Sequence, residues 1–340
     1  MTDFKAIILA GGSGERFWPL STPEKPKQFL RVFGGESLIR QSVSRLKGLV
    51  KAGNVFVITS KQLVAATRKE LPEIPKQNII GEPMRRDTGA AIALGVGIAS
   101  IRVGKSQKGP FARNVPNDPI LGFFSSDQLA TNPEKFRKAV AAAIAKAKRT
   151  NAIVTIGIKP GYPATGFGYV NPKTGQFVEK PNARKAKEYL KKGYLWNAGM
   201  FIGRAETFKA AFAAHAPALL PLLTASVSRL ESSYEPLPRI SFDYAVMEHL
   251  KNVEVVRGDF GWDDVGSYGA FDKYFPHDAR GNVREGPCTV VEADGNICIA
   301  RSARISLLGV KNLVVVTTPD SVLVADKGRV TELKKLFVKK

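Results

Sequence analysis

Short apolar runs alternate with amphipathic stretches along the first half of the chain. Phe4, Ala6, Ile7, Ile8 and Leu9 form a run that stops at Gly11 and Gly12, as expected of a central parallel strand ending at the ligand edge of an α/β sheet. Ser37 is placed to cap a helix reaching about Lys47; residues 54–59 read as a second strand, 62–71 as a helix, and 78–80 as a short strand ending at Gly81-Glu82-Pro83. A helix rich in alanine and glycine starts near Thr88, its small residues suited to close packing. Buried strands at 120–124 and 152–158 flank a helix at 133–148. This β-α-β-α-β-α-β order predicts an α/β fold with a doubly wound, mostly parallel sheet.

From Lys159 the pattern changes to a glycine- and proline-rich loop. A hairpin turned at Lys173-Thr174-Gly175 precedes a helix capped by Asn182 and ended by Gly193. Pro181 biases Lys180 towards an extended backbone. Asn197 interrupts an apolar strand at 196–202 and needs hydrogen-bond partners, which sugar hydroxyls or the backbone could supply. Helices are expected at 206–215 and 218–230, with Asp243 as an N-terminal charge on a helix within 240–248. Beyond Gly281, β-prone runs at 289–292, 297–299, 313–317 and 321–325, with a helix at 330–336, predict a small C-terminal β-rich appendage. The expected division is a catalytic domain at 1–275 and the appendage at 281–340. Residues 103–119 are longer than the usual connection of ~4–6 residues and read as a surface loop without assigned chemistry.

Composition narrows the class. With 340 residues and 44% hydrophobic content, the chain is long enough for one large α/β domain and an appendage, and is not disordered. No apolar run approaches the ~20 residues that span a bilayer. Met1-Thr2-Asp3 leads into a strand without a signal peptide, so a cytoplasmic location with no membrane partner is expected. Cys288 and Cys298 lack a CxxC spacing and His215, His249 and His277 are the only imidazoles, which argues against a zinc site or disulfide framework. The formal charge of +21 would attract polyanions. The basic residues are scattered, densest at 105–113 and 334–340, and no nucleic-acid module is recognisable, so no specific nucleic-acid partner is expected.

The glycine turn carries the candidate chemistry. Gly11 and Gly12 let backbone amides approach an anion, while Arg16, Lys25 and Lys27 follow on a segment stiffened by Pro19, Pro23 and Pro26. No GKS or GKT ends the loop, so it is not a Walker A motif, and the third glycine of a dinucleotide fingerprint would fall at Phe17. Asp127, at the carboxyl end of a buried strand, suits either a hard-cation ligand or a turn carboxylate. Asp263 and Asp264, between Trp262 and Gly266, allow the same two readings.

The full string IILAGGSGERFWPLSTPEKPKQFL, residues 7–30, resembles the signature of sugar-nucleotide pyrophosphorylases, and its PKQFL at 26–30 resembles the mannose-1-phosphate guanylyltransferase branch. GEPMRRDTGAAIA, EKP, WNAGMFI and GWDDVGSY resemble further family motifs in the expected order. The resemblance implies a nucleotide-diphospho-sugar transferase fold and a reaction of GTP with mannose 1-phosphate that yields GDP-mannose and pyrophosphate. It implies a nucleotide site at Leu9, Ala10, Gly11, Gly12, Ser13, Gly14, Glu82, Arg86, Thr88 and Ser126, with catalytic Arg16 and Lys27. It further implies magnesium (Mg2+) ligands Asp127 and Asp264, and a sugar-phosphate site at Gly168, Glu179, Lys180 and Asn197. Guanine presents adjacent N1–H and N2–H donors that one carboxylate can accept together, and Glu82 is the expected acceptor. This chain departs from the family at Asp87, where Asn is usual, at Gln128, where His is common, and at Tyr268, where Trp is common. A homodimer with contacts through the C-terminal part is also implied. The sequence ends without the cupin isomerase domain of longer relatives, so isomerase activity is not expected. The alternatives are a pyrophosphorylase for another sugar 1-phosphate, such as glucose 1-phosphate, and a non-catalytic regulatory or nucleic-acid-binding protein.

Overall fold

The computed structural model describes residues 4–12, 14–101, 118–224 and 230–337. Ser13, most of the 103–119 loop, part of the 218–230 helix and the last three residues of the basic tail lie outside the described residues. The chain forms two compact units. The first comprises Met1–Gly11, Ser42–Ser126 and Ala130–Trp262, and the second Gly12–Gln41, Asp127–Leu129 and Asp263–Lys340.

In the first unit, strands β1 (Phe4–Ala10), β2 (Val55–Ser60), β3 (Ile79–Glu82) and β4 (Ile120–Ser125) are mutually parallel, with β1 between β2 and β4. After the two-residue β5 (Leu129–Ala130) come β6 (Val154–Ile158), the hairpin β7 (Tyr169–Val170) and β8 (Phe177–Val178), β9 (Leu195–Arg204) and β10 (Glu254–Gly258). The sheet runs β10-β6-β9-β4-β1-β2-β3. Strand β9 lies between β4 and β6 and is antiparallel to both. The sheet is therefore mostly parallel with one reversed central strand, an order that local hydrophobic pattern does not encode. Because β1 is flanked by β2 on one side and β4 on the other, the crossovers diverge there, and the crevice beyond the carboxyl ends of β1 and β4 is where such sheets bind ligands.

The Asp87–Ile101 helix is buried through Ala90, Ile92, Ala93, Leu94 and Val96. A Cβ at Gly95 would come within 2.8 Å of Phe123, and one at Gly97 within 2.6 Å of the Leu222 carbonyl. The small residues are thus packing devices, as expected. Asn132 and Asn182 cap their helices by accepting from the amides of Lys135 and Lys185, each at 2.9 Å. Within the expected 218–230 helix, the described residues form a single turn at Pro217–Leu219 and then a short helix at Pro221–Thr224, with a further helix at Leu230–Tyr234. Pro217 and Pro221 account for the interruption, since each lacks the amide a continuing helix needs.

The second unit holds the two-residue β11 (Trp262–Asp263) in part and then a β-coil: β12 (Val283–Glu285), β13 (Cys288–Val291), β14 (Ile297–Ala300), β15 (Ile305–Leu308), β16 (Leu313–Thr318) and β17 (Ser321–Asp326). β12, β14 and β16 pair in parallel, β17 closes that sheet antiparallel, and β13 pairs in parallel with β15. Gly281-Asn282-Val283, Gly295-Asn296-Ile297 and Lys311-Asn312-Leu313 open successive rungs. The fully buried Asn282 and Asn296 stack, the amide and Nδ2 of Asn296 both donating to Asn282 Oδ1 at 2.9 Å. The core of this unit joins Phe17, Leu30, Phe33, Tyr268 and Phe271 to Val283, Ile297, Val314 and Val316. The glycine-turn segment and the C-terminal coil consequently share one hydrophobic cluster. The expected terminal helix is a 3-10 turn series over Lys327–Phe337.

Candidate active site

In the second unit, Gly12 and Gly14 follow β1 and lead to a single 3-10 turn, Glu15–Phe17, that carries Arg16. Gly14 has φ 66°, and a Cβ there would lie 2.4 Å from the Lys27 amide nitrogen. Only glycine lets the turn pass so close to Lys27. The buried Lys27 ammonium donates to Asp127 Oδ2 at 3.0 Å and to the Asp264 carbonyl at 2.6 Å. Three residues distant in sequence thus meet around one Nζ. Arg16 Nη1 and Asp264 Oδ2 both flank Gly266, where a Cβ would lie 3.2 and 3.3 Å from them. Burial holds the Asp264 carboxyl above its usual range, and the charge of Asp127 adds to this against the opposing pull of Lys27 and Arg16. Tyr268 is fully buried beside Phe17, its hydroxyl 2.9 Å from the Phe17 carbonyl and 3.1 Å from that of Trp18. It therefore fixes the turn that carries Arg16, and as a buried aromatic with a single donor it fills the place of the commoner Trp.

In the first unit, Leu9, Ala10 and Gly11 end β1, and the Ser126 amide donates to the Leu9 carbonyl at 3.0 Å. A Cβ at Gly11 would touch Glu82 Oε2 at 3.4 Å, which puts the backbone edge and the carboxylate side by side. Glu82 is buried, accepts from the Tyr234 hydroxyl at 3.0 Å, and is pushed up to about 7 by loss of water. Arg86 donates to the carbonyls of Tyr234 and Glu235 at 3.1 and 2.8 Å, so it holds the turn that presents Tyr234. Thr88 Oγ1 accepts from the Phe242 amide at 3.0 Å. Asp87 has φ 66° and accepts from the Thr88 amide at 2.8 Å. Asn and Asp both tolerate that left-handed backbone and both offer the oxygen, so the departure at this position preserves the turn.

The same unit gathers the expected sugar-phosphate residues. Glu179 Oε1 meets Lys180 Nζ at 2.7 Å, and a Cβ at Gly168 would lie 2.5 Å from Glu179 Oε2, so position 168 has no room for a side chain. Partial burial works against the charge of Lys180, but the hydrogen bond and charge of Glu179 outweigh it and hold the ammonium above its usual range. Lys180 has φ 42°, not the extended backbone expected before Pro181. Such a conformation costs about 1–3 kcal/mol and persists where surrounding contacts fix it, here the ion pair with Glu179. Asn197 Oδ1 accepts from Thr155 Oγ1 at 2.7 Å and the Gly199 amide at 3.1 Å, while its Nδ2 donates to Asp243 Oδ1 at 2.9 Å. Asn197 is thus largely occupied by protein partners and serves to hold Asp243. Tyr234 and Thr155 carried no sequence signal, and Asp243 read mainly as a helix charge.

Among the described residues no group of three or more His, Cys, Asp or Glu side chains is arranged to hold a metal, and no helix is long and apolar enough to cross a membrane. The donor pair Asp127 and Asp264 suits magnesium, which takes one or two carboxylates and completes its shell with phosphate oxygens and water. The burial of Asp264 beside a like charge, only partly offset by Lys27 and Arg16, is what a divalent cation would further relieve.

Known proteins resemble this chain along most of its length. The chain is 34% identical to a mannose-1-phosphate guanylyltransferase of Escherichia coli (strain K12), over 97% of this chain and 72% of that protein. It is also 34% identical to one from Klebsiella pneumoniae at the same coverage. A crystal structure named mannose-1-phosphate geranyltransferase, from Thermus thermophilus, superposes with a TM-score of 0.85 at 34% identity, covering 98% of each chain. One named mannose-6-phosphate isomerase, from Helicobacter pylori, superposes with a TM-score of 0.61 at 25% identity, over 77% of this chain and 99% of that one. Residues 286–340 match the MannoseP isomerase/GMP-like beta-helix domain. Residues 5–280 match the family model for nucleotidyl transferases, and the chain belongs to that family.

Proposed function

We propose that this protein is an enzyme that transfers the guanylyl group of GTP to mannose 1-phosphate, giving GDP-mannose and pyrophosphate. The observation that carries the reading is the buried Lys27 ammonium held between Asp127 Oδ2 at 3.0 Å and the Asp264 carbonyl at 2.6 Å. A fixed cation between the Asp127 carboxylate and the Asp264 backbone, with the Asp264 carboxyl close enough to feel its charge, is suited to a triphosphate and its counterion. The guanylyltransferase relatives support the choice of GTP and mannose 1-phosphate.

In this mechanism a phosphate oxygen of the sugar attacks the α-phosphorus in line, a P–O bond forms, and the bond to the β-phosphate oxygen breaks as pyrophosphate leaves. Arg16 and Lys27 neutralise the α-phosphate and the departing pyrophosphate, with backbone groups of Leu9, Ala10, Gly12, Gly14 and Ser126 lining the nucleotide. Glu82 accepts from guanine, with Arg86 and Thr88 holding its surroundings. Lys180 orients the attacking phosphate, and Gly168, Glu179 and Asn197 define the sugar pocket. Asp127 and Asp264 are the residues that would hold magnesium, which when bound supplies charge neutralisation on the phosphate oxygens. Catalysis rests on positioning and preorganised charge.

The working form proposed is a cytoplasmic homodimer with the C-terminal coil as contact region. Its support is the free thiol state of Cys288 and Cys298 and the exposed Val322 and Val324 on β17, an edge strand. The test is a panel of four nucleoside triphosphates against several sugar 1-phosphates, scored by pyrophosphate release with and without a chelator. GTP with mannose 1-phosphate should lead, chelation should abolish turnover, and magnesium should restore it. Lys27→Ala and Asp127→Ala should each lose on the order of 10²–10³ in rate; near-normal turnover in both would reject these roles.

A further inference from the structure

Asp243 is anchored from two directions. From the sheet, Thr155 on β6 fixes Asn197 on β9, and Asn197 Nδ2 donates to Asp243 Oδ1 at 2.9 Å. From the other side, the preceding segment is tied to the start of the Asp87–Ile101 helix: the Phe242 amide donates to Thr88 Oγ1 at 3.0 Å and the Gly89 amide to the Ile240 carbonyl at 3.1 Å. Ser241 Oγ caps the turn by accepting from the Tyr244 amide at 3.3 Å. Such bracing is more than a surface carboxylate at a helix start requires. No other described residue donates to Oδ2 of Asp243, and the residue is half-buried.

The surroundings indicate what Oδ2 accepts. Glu179 and Lys180 both act electrostatically on Asp243, and the Lys180 ammonium is already paired with Glu179 at 2.7 Å. Two carboxylates beside the one ammonium leave acceptor oxygens in excess of what Lys180 occupies, and these suit neutral hydroxyl donors, of which a hexose ring carries several, next to a phosphate held by Lys180. We infer that Asp243 is a specificity-determining residue of the sugar pocket, its Oδ2 accepting a hydrogen bond from one ring hydroxyl beside Glu179. The inference rests on the proposed function for its substrate class, a sugar 1-phosphate, and leaves open to the test which hexose is bound. An acceptor fixed from both sides fits one direction of a C–O bond, so it separates epimers that differ at that carbon. A site built to pair a hydroxyl discriminates far more strongly than one that merely makes room for it.

The test compares wild type with Asp243→Asn on the sugar 1-phosphate that wild type uses best, on its epimers, and on its monodeoxy analogues. Pyrophosphate release gives KM and kcat for sugar and nucleotide separately, and thermal denaturation checks the fold. Asp243→Asn should lower kcat/KM for the preferred sugar on the order of 10²-fold. KM for the nucleotide should stay within a factor of about two, and preference over one epimer should shrink. For one deoxy analogue the difference between wild type and variant should vanish, which names the hydroxyl. An equal loss on every analogue, or an unchanged sugar KM, would overturn the inference. If the preferred substrate is not mannose 1-phosphate, the functional reading fails while the role of Asp243 is judged on that other sugar. Absence of turnover with every sugar 1-phosphate would end both.

Discussion

Glu82 illustrates how one buried carboxylate can serve binding at the expense of stability. Burial raises it from 4.5 to about 7, only partly offset by the Tyr234 hydroxyl. Between those values the folded protein keeps a proton that the unfolded chain has released, so stability falls as pH rises through that window. Glu82→Gln retains an acceptor for Tyr234 and removes the ionisation. The variant should therefore be more stable than wild type by about 1–3 kcal/mol at pH 8, with the difference fading by pH 4.5, as read by urea denaturation at both pH values. The same variant should lose its preference for GTP over ATP, because an amide cannot accept both guanine donors. In wild type KM for GTP should rise as pH falls from 8 to 6, since the protonated acid is the poorer acceptor. A GTP preference unchanged in Glu82→Gln would remove Glu82 from base recognition.

Among local elements, the turn after β1 and the C-terminal coil depend on different kinds of residue. At Gly14 both the left-handed φ and the 2.4 Å approach of a Cβ to the Lys27 amide forbid a side chain. Gly14→Ala should displace Lys27 and lower kcat on the order of 10²-fold, a typical effect of misplacing a catalytic group by about 1 Å. At Gly12 a Cβ would meet nothing within 4 Å, so Gly12→Ala tests separately whether the backbone there must approach a ligand. In the coil, Asn296 Oδ1 accepts from the Leu313 amide at 2.8 Å and Nδ2 donates to the Val310 carbonyl at 3.2 Å. Asn296→Ala would leave the part-buried Leu313 amide without its acceptor, although the Val310 carbonyl keeps the Asp294 amide, and should cost roughly 1–3 kcal/mol by urea denaturation. Asn312, at the equivalent place one rung on, is exposed with φ 51°, so Asn312→Gly should change stability by less than about 1 kcal/mol. The Gly-Asn repeat behind this contrast is visible in the sequence once a period of about one coil is sought, but strand propensity alone reports only separate β-prone runs.

For the molecule as a whole, β1, β2, β4 and β6 were legible because each is a largely apolar run, whereas the half-exposed edge strand β10 carried no such signal, and the antiparallel insertion of β9 between β4 and β6 was not legible, since long-range pairing leaves no local trace. Lys27, Asp127 and Asp264 could be nominated from glycine and proline chemistry and from motif resemblance; their meeting around one nitrogen depends on tertiary folding. Net charge is the opposite case, fully legible yet silent on location. With 51 basic and 30 acidic residues the chain carries a formal +21, while both proposed substrates are phosphate anions. A field of that sign should raise the encounter rate with GTP and mannose 1-phosphate and should be screened once the Debye length falls to ~10 Å near 0.1 M salt. Raising sodium chloride from 0.02 to 0.3 M should thus lower kcat/KM for both substrates by roughly tenfold while kcat changes little, because chemistry follows binding. Random duplex DNA should compete at the low end only and without sequence preference. A kcat/KM independent of salt would show that the excess charge lies where substrates do not pass, and steep duplex binding without turnover would favour a nucleic-acid-binding role over the enzyme proposed.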